Sequence, residues 1–443
     1  MAKNIIEKAP FEFKLGLYDI FSDSNVKYYH KYKEVDNNGK YIYWDKVKYH
    51  AKLNNDDPLL AWYSVKLHRV SGRKVVALQT KQDKLFEYSI HDSLQSNLYK
   101  ISEFSRDGLM PINSIGNNYL FSSLVIEEAI NSSQLEGAST TRRIAKDMIV
   151  SEREPKSPDE RMIVNNYFLM KEVKKVKTEK LSVDMILRFH EIATQGLNEN
   201  GVIPGQTRTD NEIFIGDNDG NNIYQPPTYE EVVSRLEQLC DFANENHTET
   251  NFINPIIKAI ILHFMIGYIH PFSDGNGRTA RALFYWFMLK NGYDYFEYIS
   301  ISKLLKDAPV KYSKSYLYTE YDDNDLNYFI YYQVDIILRS IDDLRIFLEK
   351  KIQEFEELTY MLKDSFLAEK LNFIQKDIIK KAIKNPGRIF TANEVSVDYD
   401  ISANTARKYL NELVKYKMLM GAKDGRLVTY IAPANLHDIL KAK

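Results

Sequence analysis

The stretch HPFSDGNGRTARALFYWFMLKNG, residues 270–292, joins a motif of polar and glycine residues to an apolar run with helical spacing. Proline disfavours a helical conformation in the residue before it, so a helix is expected to stop at His270. Gly275 and Gly277 allow the backbone to turn tightly and leave room for a ligand. The run before the motif, 256–269, is also strongly apolar. The sequence therefore predicts a tight turn between two buried helices, within a mainly α fold.

The polar residues of this turn are suited to phosphate chemistry. Arg278 and Arg281 share one face near a helix N-terminus, which itself attracts anions. Asp274 becomes useful when a cation lies between it and phosphate oxygens, the usual environment of Mg²⁺. His270 is the type of residue that accepts a proton from an attacking hydroxyl. These residues predict metal-dependent transfer from a nucleoside triphosphate; a capped loop with two surface arginines is the plain alternative.

Composition limits the classes of function. The chain has 443 residues, enough for about three domains. Its 59 Lys and Arg nearly balance 61 Asp and Glu, so the molecule as a whole has no strong attraction for nucleic acid or anionic membranes. The single cysteine, Cys240, excludes an internal disulfide and fits a reducing compartment. The run at 256–269 is too short to cross a bilayer, and the N-terminus lacks a signal-peptide pattern. We expect a cytoplasmic protein without membrane contact.

Changes of pattern along the chain predict three regions. Residues 1–115 mix helical and strand signals and are expected to form an α+β region. Residues 116–365 are mostly helical, except for a Gly-, Asn- and Pro-rich loop with a small hairpin at 201–227. Residues 366–443 predict a helix, a turn, a second helix and two short strands. This is the order of elements in a winged helix.

The motif HPFSDGNGRTAR resembles the signature H-P-F-x-D-G-N-G-R-x-x-R of Fic (filamentation induced by cAMP) domain proteins at every fixed position. PGQTR at 204–208 and the neighbouring EIFIG and YQPP are similar to the family's flap, expected at about 205–226. The resemblance covers roughly 120–345. It implies an all-helical Fic core with a β-hairpin flap.

The resemblance implies protein adenylylation (AMPylation), in which a Ser, Thr or Tyr hydroxyl of a target protein attacks the α-phosphorus of ATP and pyrophosphate leaves. It assigns His270 as the base and Asp274 as the ligand of Mg²⁺ or Mn²⁺. The implied phosphate-binding residues are Gly275, Asn276, Gly277, Arg278 and Arg281. The flap would align the target as an added β-strand. The implied docking residues are Ile213, Phe214 and Ile215.

A second motif, INSSQLEGAST at 130–140, resembles the family's inhibitory sequence [ST]-x-x-x-E-[GN], which runs here from Ser132 to Gly137. It would end an inhibitory helix at about 120–137. The plain alternative is a helix C-terminus with Gly137 in the C′ position and a solvated Glu136. A glutamate is unfavourable at this end unless a cation pairs with it. The resemblance implies that Glu136 pairs with Arg281 and withholds it from the γ-phosphate.

Other functions remain open from the sequence. Glu136 could instead orient a water that removes AMP from a modified protein, making the chain a de-AMPylase or a bifunctional enzyme. A third hypothesis is a DNA-binding regulator with a nucleotide-sensing Fic domain, because basic residues such as Arg407 and Lys408 lie in the second helix of the tail. A structural or protein-docking tail is the alternative. Beyond a protein substrate, self-modification and a homodimer are considered. His190 and His263 are interpreted as packed core histidines.

Overall fold

The computed structural model describes residues 6–10, 21–22, 24–70, 72–107, 117–151, 153–197, 201–216, 222–361, 370–399, 401–424, 427–436 and 440. Most of these residues are helical, as the mainly α prediction requires. The helices are α1 (Val26–Lys31), α2 (Trp44–Leu53), α3 (Pro58–Val70), α4 (Asp92–Asp107), α5 (Asn117–Leu135), α6 (Arg142–Ser151), α7 (Pro158–Lys175), α8 (Val183–Thr194), α9 (Val232–Asn244), α10 (Pro255–Ile269), α11 (Asn276–Lys290), α12 (Ile301–Asp307), α13 (Pro309–Tyr321), α14 (Asn327–Met361), α15 (Phe373–Lys384), α16 (Ala392–Tyr399) and α17 (Ala403–Lys415). The strands are β1 (Arg73–Gln79), β2 (Leu85–Ser89), β3 (Ile215–Gly216), β4 (Asn222–Tyr224), β5 (Ile389–Thr391), β6 (Met420–Asp424) and β7 (Leu427–Ile431).

The chain divides into two compact units, and neither is continuous in sequence. The first, called here the motif unit, comprises Met1–Ser102, Phe168–Tyr293 and Leu304–Leu338. The second, called the terminal unit, comprises Glu103–Tyr167, Asp294–Lys303 and Arg339–Lys443. These units group the residues differently from the three consecutive regions expected from the sequence, because contacts between distant parts of the chain define them.

A buried arginine explains why the N-terminal residues belong to the motif unit. Arg69 of α3 is 3% exposed and donates hydrogen bonds to the Tyr328 hydroxyl at 2.7 Å and the Ile42 carbonyl at 2.6 Å. Its guanidinium also lies 3.3 Å from the Asp322 carboxylate and 3.7 Å from the centre of the Tyr41 ring. Removing one partner of such a buried pair costs about 3–5 kcal/mol. Residues 24–70 are therefore held to the segment that begins α14.

The core of the motif unit is a pair of buried helices, α10 and α11, which pack against each other. Asn254 caps α10 by accepting a hydrogen bond from Ile256 N at 2.9 Å, and Pro255 occupies the first helical position. Almost every residue of α10 is buried, which confirms the prediction of a core helix at 256–269. His263 is fully buried, and its Nε2 lies 2.8 Å from the Tyr312 hydroxyl. No helix among the described residues is long and apolar enough to cross a membrane.

The strands of the motif unit form two small hairpins. β1 and β2 pair antiparallel, as do β3 and β4, where Ile215 lies opposite Tyr224. The second hairpin falls within the predicted flap at about 205–226. Residues 217–221, between its strands, lie outside the described residues. A flap hairpin on a helical unit thus agrees with the expected fold class.

The terminal unit combines the helix of the second motif with the C-terminal segment. Ile126 and Ile130 of α5 pack in an apolar cluster with residues of α6 and α7, and Val397 of α16 packs against the same cluster. The C-terminal residues form a core of their own, in which α15, α16 and α17 cover an antiparallel sheet of order β5-β7-β6. The winged helix expected at 366–443 stays a prediction for this segment.

Candidate active site

His270 lies at the point where α10 ends. It is the C-cap residue and adopts left-handed backbone angles, φ 49° and ψ 59°. Its N–H still donates to the Ile266 carbonyl at 2.9 Å, so the helix closes normally before the chain turns away. Few residues other than glycine occupy this conformation, and such strain persists where surrounding contacts impose it. The prediction that the helix stops at His270 is therefore confirmed.

Arg208 supplies contacts that impose this backbone conformation. Its Nε donates to the His270 carbonyl at 2.9 Å, and its backbone N–H donates to the Pro271 carbonyl at 2.9 Å. The same guanidinium donates to the Asp210 carbonyl at 2.9 Å and to the Pro227 carbonyl. The side chain is buried. One arginine thus joins the base of the flap to the start of the motif.

His190 of α8 supports the motif from the other side. Its ring stacks on Phe272 with a centroid separation of 3.7 Å and an interplanar angle of 1°. Nε2 lies 3.0 Å from the Asp274 carbonyl, and Nδ1 accepts a hydrogen bond from Gly205 N at 3.1 Å. Burial lowers the pKa of His190 to about 4, so the ring is neutral at physiological pH. It is a packed core histidine, as the sequence predicts, with two specific polar contacts.

The turn itself is fixed by Asn276 and by a glycine. The Asn276 side chain accepts from Phe272 N at 3.0 Å and donates to the Phe272 carbonyl at 2.7 Å. Gly275 is the N-cap of α11 with φ 82°. A Cβ at this position would lie 2.7 Å from Thr194 Cγ2 and 3.1 Å from His190 Cδ2. Both backbone conformation and space therefore require glycine here.

Substitution of Gly275 by alanine should destabilise the motif unit through two separable effects. Gly292 has almost the same backbone angle, φ 81°, but nothing lies within 4 Å of its Cβ position. We expect Gly292→Ala to lower the free energy of unfolding by about 1–2 kcal/mol, the cost of left-handed backbone. Gly275→Ala should cost roughly a further 1–3 kcal/mol for steric overlap. Urea denaturation measures both; equal losses would show that the overlap is relieved without cost.

The charged residues of the motif lie close to one another at the start of α11. The Asp274 carboxylate accepts from Gly275 N at 2.6 Å and lies 3.4 Å from Arg278 Nη2. Arg278 Nη1 donates to the Ala193 carbonyl at 2.6 Å, so this arginine links the start of α11 to the end of α8. Arg278 and Arg281 are both 1% exposed. Phosphate contacts by either arginine stay a prediction.

A metal ion at this site would depend on ligands beyond the protein. Among the residues that the structure describes, no group of three or more His, Cys, Asp or Glu side chains could hold an ion. The Asp274 side chain is 27% exposed, so its carboxylate remains accessible beside the turn. A single carboxylate fits Mg²⁺ or Mn²⁺ when phosphate oxygens and water complete the coordination shell.

The flap places apolar side chains at the surface of the motif unit. Phe214 is 46% exposed and Ile215 is 37% exposed, while Ile213 is half-buried. The Gln225 side chain donates to the Ile213 carbonyl at 3.1 Å, and Lys81 Nζ donates to the Gln225 carbonyl at 3.0 Å. The base of the flap is thus tied to the β1–β2 hairpin. Target docking by these residues stays a prediction.

The second motif ends α5 in the terminal unit. The helix stops at Leu135, and Gly137 has φ 104°, the left-handed C′ conformation expected from the sequence. Ala138 N donates to the Ser133 carbonyl at 3.0 Å, which closes the helix end. Ser132 is buried, and Glu136 is partly exposed just beyond the last turn. Because Arg281 belongs to the other unit, its pairing with Glu136 stays a prediction.

The same helix is anchored within the terminal unit by polar contacts. Glu128 is 2% exposed and accepts hydrogen bonds from the hydroxyls of Ser300, at 2.7 Å, and Ser302. Asn166 donates to the Ser133 hydroxyl at 3.2 Å. These contacts fix the position of α5 against residues 300–302 and against the first half of α7. Glu136 therefore follows a helix that specific contacts hold within the terminal unit.

Two residues of the candidate site were not assigned to it from the sequence. Arg208 lies in PGQTR, which was compared only with the family's flap, and His190 was placed in the core. For Arg208 the sequence shows only the residue type, whose five N–H donors need acceptors wherever the side chain is buried. For His190 the helical spacing predicts burial but does not identify the groups it contacts.

Comparison with known proteins supports the sequence resemblance. Residues 180–288, from α8 through most of α11, match the model of the Fic/DOC family. The chain contains a Fic domain. The matched segment includes the flap, His190, Arg208 and the whole motif from His270 to Arg281.

Named relatives of the Fic domain match over part of their length. The protein adenylyltransferase fic-1 of Caenorhabditis elegans is 34% identical over 115 residues, which are 26% of this chain and 20% of that protein. The probable protein adenylyltransferase aq_aa38 of Aquifex aeolicus is 31% identical over 126 residues, 28% of this chain and 35% of that protein. The chain thus spans about a fifth to a third of these relatives.

Solved structures of Fic proteins are similar to this chain at low sequence identity. A Fic family protein from Desulfovibrio desulfuricans aligns over 78% of this chain and 97% of that chain, with a TM-score of 0.48 and 16% identity. Fic-1 of C. elegans, residues 134–508, aligns over 66% of this chain and 77% of that chain, with a TM-score of 0.47 and 18% identity.

Proposed function

We propose that this chain is a protein adenylyltransferase, a nucleotidyltransferase that transfers AMP from ATP to a Ser, Thr or Tyr hydroxyl of a target protein. The observation that carries the proposal is the folded turn from His270 to Arg281. It presents a histidine, a carboxylate and a glycine-lined helix N-terminus together, inside a Fic domain. Relatives matched over that domain are named protein adenylyltransferases.

His270 would act as the general base. The target hydroxyl gives its proton to the imidazole while its oxygen attacks the α-phosphorus of ATP. The new O–P bond forms as the bond between the α-phosphorus and the bridging oxygen breaks, and pyrophosphate leaves with the electron pair. Proton removal by a positioned side chain contributes roughly 10²–10⁴-fold to such a rate. The left-handed backbone at His270 directs the residue away from the helix that it ends.

The residues after His270 would bind the phosphates. Gly275, Asn276 and Gly277 would place the N-terminus of α11 against the phosphates, because backbone N–H groups at a helix start attract anions. Asp274 would hold Mg²⁺ or Mn²⁺, which neutralises charge on the phosphate oxygens. Arg278 secures Asp274 and the Ala193 carbonyl, and we assign it to positioning as well as to phosphate binding. Arg281 is assigned to the γ-phosphate.

The flap and the second motif would control access to this reaction. An extended target segment adds to the flap as a strand, with Phe214 and Ile215 providing exposed apolar contacts. Glu136 pairs with Arg281 in the resting protein, so that ATP binds without its γ-phosphate contact. We propose the same site for removal of AMP if Glu136 orients a water. Self-modification, a homodimer, DNA binding through 366–443 and a cytoplasmic location stay predictions.

The position of the transferred label tests the proposal. The purified chain is incubated with Mg²⁺ or Mn²⁺ and with ATP carrying a label on either the α- or the γ-phosphate. We expect the α-label on protein and the γ-label in released pyrophosphate, because the bond broken lies between the α- and β-phosphates. The Glu136→Gly chain, with its restraint removed, provides the strongest signal. Transfer of the γ-label instead would identify a kinase and contradict the proposal.

A further inference from the structure

The imidazole of His190 joins the flap to the turn from His270 to Arg281, which is called the catalytic turn below. His190 is fully buried on α8 and lies between two segments that come from other parts of the chain. Gly205, at the base of the flap, donates its N–H to His190 Nδ1 at 3.1 Å. The Asp274 carbonyl, within the motif, lies 3.0 Å from His190 Nε2. Each ring nitrogen therefore serves a different functional segment.

These two partners determine the tautomer of the ring. A backbone N–H can only donate, so Nδ1 carries no proton and accepts. A carbonyl can only accept, so Nε2 carries the proton and donates to Asp274. The neutral imidazole thus satisfies both segments at once. Stacking on Phe272, 3.7 Å away, fixes the plane in which the two hydrogen bonds lie.

The space around the ring leaves little freedom for the turn. A Cβ on Gly275 would lie 3.1 Å from His190 Cδ2, so the backbone of the turn packs directly against the ring edge. Arg208 forms an independent link between the same two segments through the His270 and Pro271 carbonyls. A displacement at the base of the flap is therefore transmitted to the turn at two points.

We infer that His190 is a positioning residue that couples the flap to the catalytic turn, by accepting from Gly205 and donating to Asp274. This inference rests on the proposed function, since it joins the surface that docks the target to the residues that act on ATP. Movement of the flap on docking is passed through the ring to the backbone of Asp274. His190 itself touches neither substrate in this assignment.

Two conservative variants separate the two hydrogen bonds. The side-chain amide of His190→Gln reaches the place of Nε2 and retains a donor for the Asp274 carbonyl, but it loses the acceptor for Gly205. The amide of His190→Asn reaches the place of Nδ1 and retains the acceptor, but it loses the donor. His190→Phe retains the stack on Phe272 and removes both bonds. His247→Gln is the control, because His247 is also buried and accepts a hydrogen bond, from Lys258 at 2.9 Å.

Amide hydrogen exchange, measured on the full chain without nucleotide, tests the coupling directly because it reports on the base of the flap and on the turn separately. We expect His190→Gln to speed exchange at 201–208 by roughly 3- to 10-fold and to change 270–276 less, as loss of one hydrogen bond implies. His190→Asn should show the reverse pattern, and His190→Phe should loosen both segments. His247→Gln should leave both unchanged. A purely structural role would loosen all neighbouring segments equally in every variant, and that result would overturn the inference.

The rate of AMP transfer tests whether the coupling through His190 affects the reaction. In chains that also carry Glu136→Gly, we expect His190→Asn to slow transfer of the α-label roughly 10-fold or more, with His190→Gln slowed less at equal protein concentration. Equal rates in both variants would overturn the assignment to the catalytic turn. If no chain transfers label, the proposed function fails, while hydrogen exchange still tests the coupling. If either His190→Asn or His190→Gln does not fold, the remaining variant is compared with the native chain, and that comparison decides.

Discussion

Replacing His270 should abolish AMP transfer while the chain stays folded. We expect His270→Asn to lower the rate of α-label transfer by roughly 10²–10⁴-fold, because the base for the target hydroxyl is lost. Asparagine is the informative replacement, since it tolerates the left-handed backbone observed at this position, φ 49°. The comparison with His270→Ala separates chemistry from backbone strain. Both variants should be equally inactive, although alanine should destabilise the chain by about 1–2 kcal/mol more.

The controls for His270 distinguish catalysis from binding. Isothermal titration with ATP and Mg²⁺ should give nearly the native dissociation constant for His270→Asn, because the assigned phosphate-binding groups are untouched. The loss should therefore appear in the rate at saturating ATP. Arg208→Gln removes the contact with the His270 carbonyl and leaves the imidazole in place. It should reduce the rate less than His270→Asn. If His270→Asn keeps more than a tenth of the native rate, the histidine is not the base.

The turn from His270 to Arg281 was predictable because its requirements are local. Pro271 ends the helix before it, and Gly275 supplies a left-handed residue that a side chain would block. Helical spacing on both sides predicted the buried helices α10 and α11. The glycine at 137 likewise predicted the end of α5. In each case the residue type limits the backbone conformation, so a short stretch of sequence is enough to predict the local structure.

The supporting contacts could not be predicted because their partners are remote in sequence. His190 contacts Asp274 across 84 residues, and Arg69 contacts Tyr328 across 259. Periodicity shows that such residues are buried, but any buried polar group needs a partner and many carbonyls qualify. The division into two units has the same origin. It follows long-range packing, so residues 24–70 and the start of α14 fall in the same unit.

The proposed restraint by Glu136 depends on how α5 is held in the terminal unit. α5 is fixed in the terminal unit by Glu128 and by the apolar cluster around Ile126. Val397 of α16 packs against that cluster, so the C-terminal segment contributes to the support of α5. Glu136 follows the last turn, where a carboxylate is disfavoured by the helix dipole. The proposed pairing with Arg281 would offset this cost.

Removing the Glu136 carboxylate should increase AMP transfer. We expect Glu136→Gly and Glu136→Gln each to raise the rate by roughly 5- to 150-fold, the range given by a coupling of about 1–3 kcal/mol between two sites. Glutamine preserves the size of the side chain, so an equal gain in both variants would assign the effect to charge. The rate of α-label transfer at a fixed ATP concentration is the measurement.

A carboxylate on the same helix provides the matched control. Glu127 forms an ion pair with Arg142 inside the terminal unit, so Glu127→Gln removes one charge from α5 without touching the proposed pair. It should leave transfer at the native rate. A similar gain in Glu127→Gln would mean that loosening α5 suffices and that Glu136 has no specific role. If Glu136→Gln instead leaves transfer unchanged and slows release of AMP from labelled protein, the residue orients water and the site works in the de-AMPylating direction. The two directions therefore predict a change in different rates for one substitution, faster transfer or slower release, because the same carboxylate either withholds an arginine from ATP or activates a nucleophile against the product.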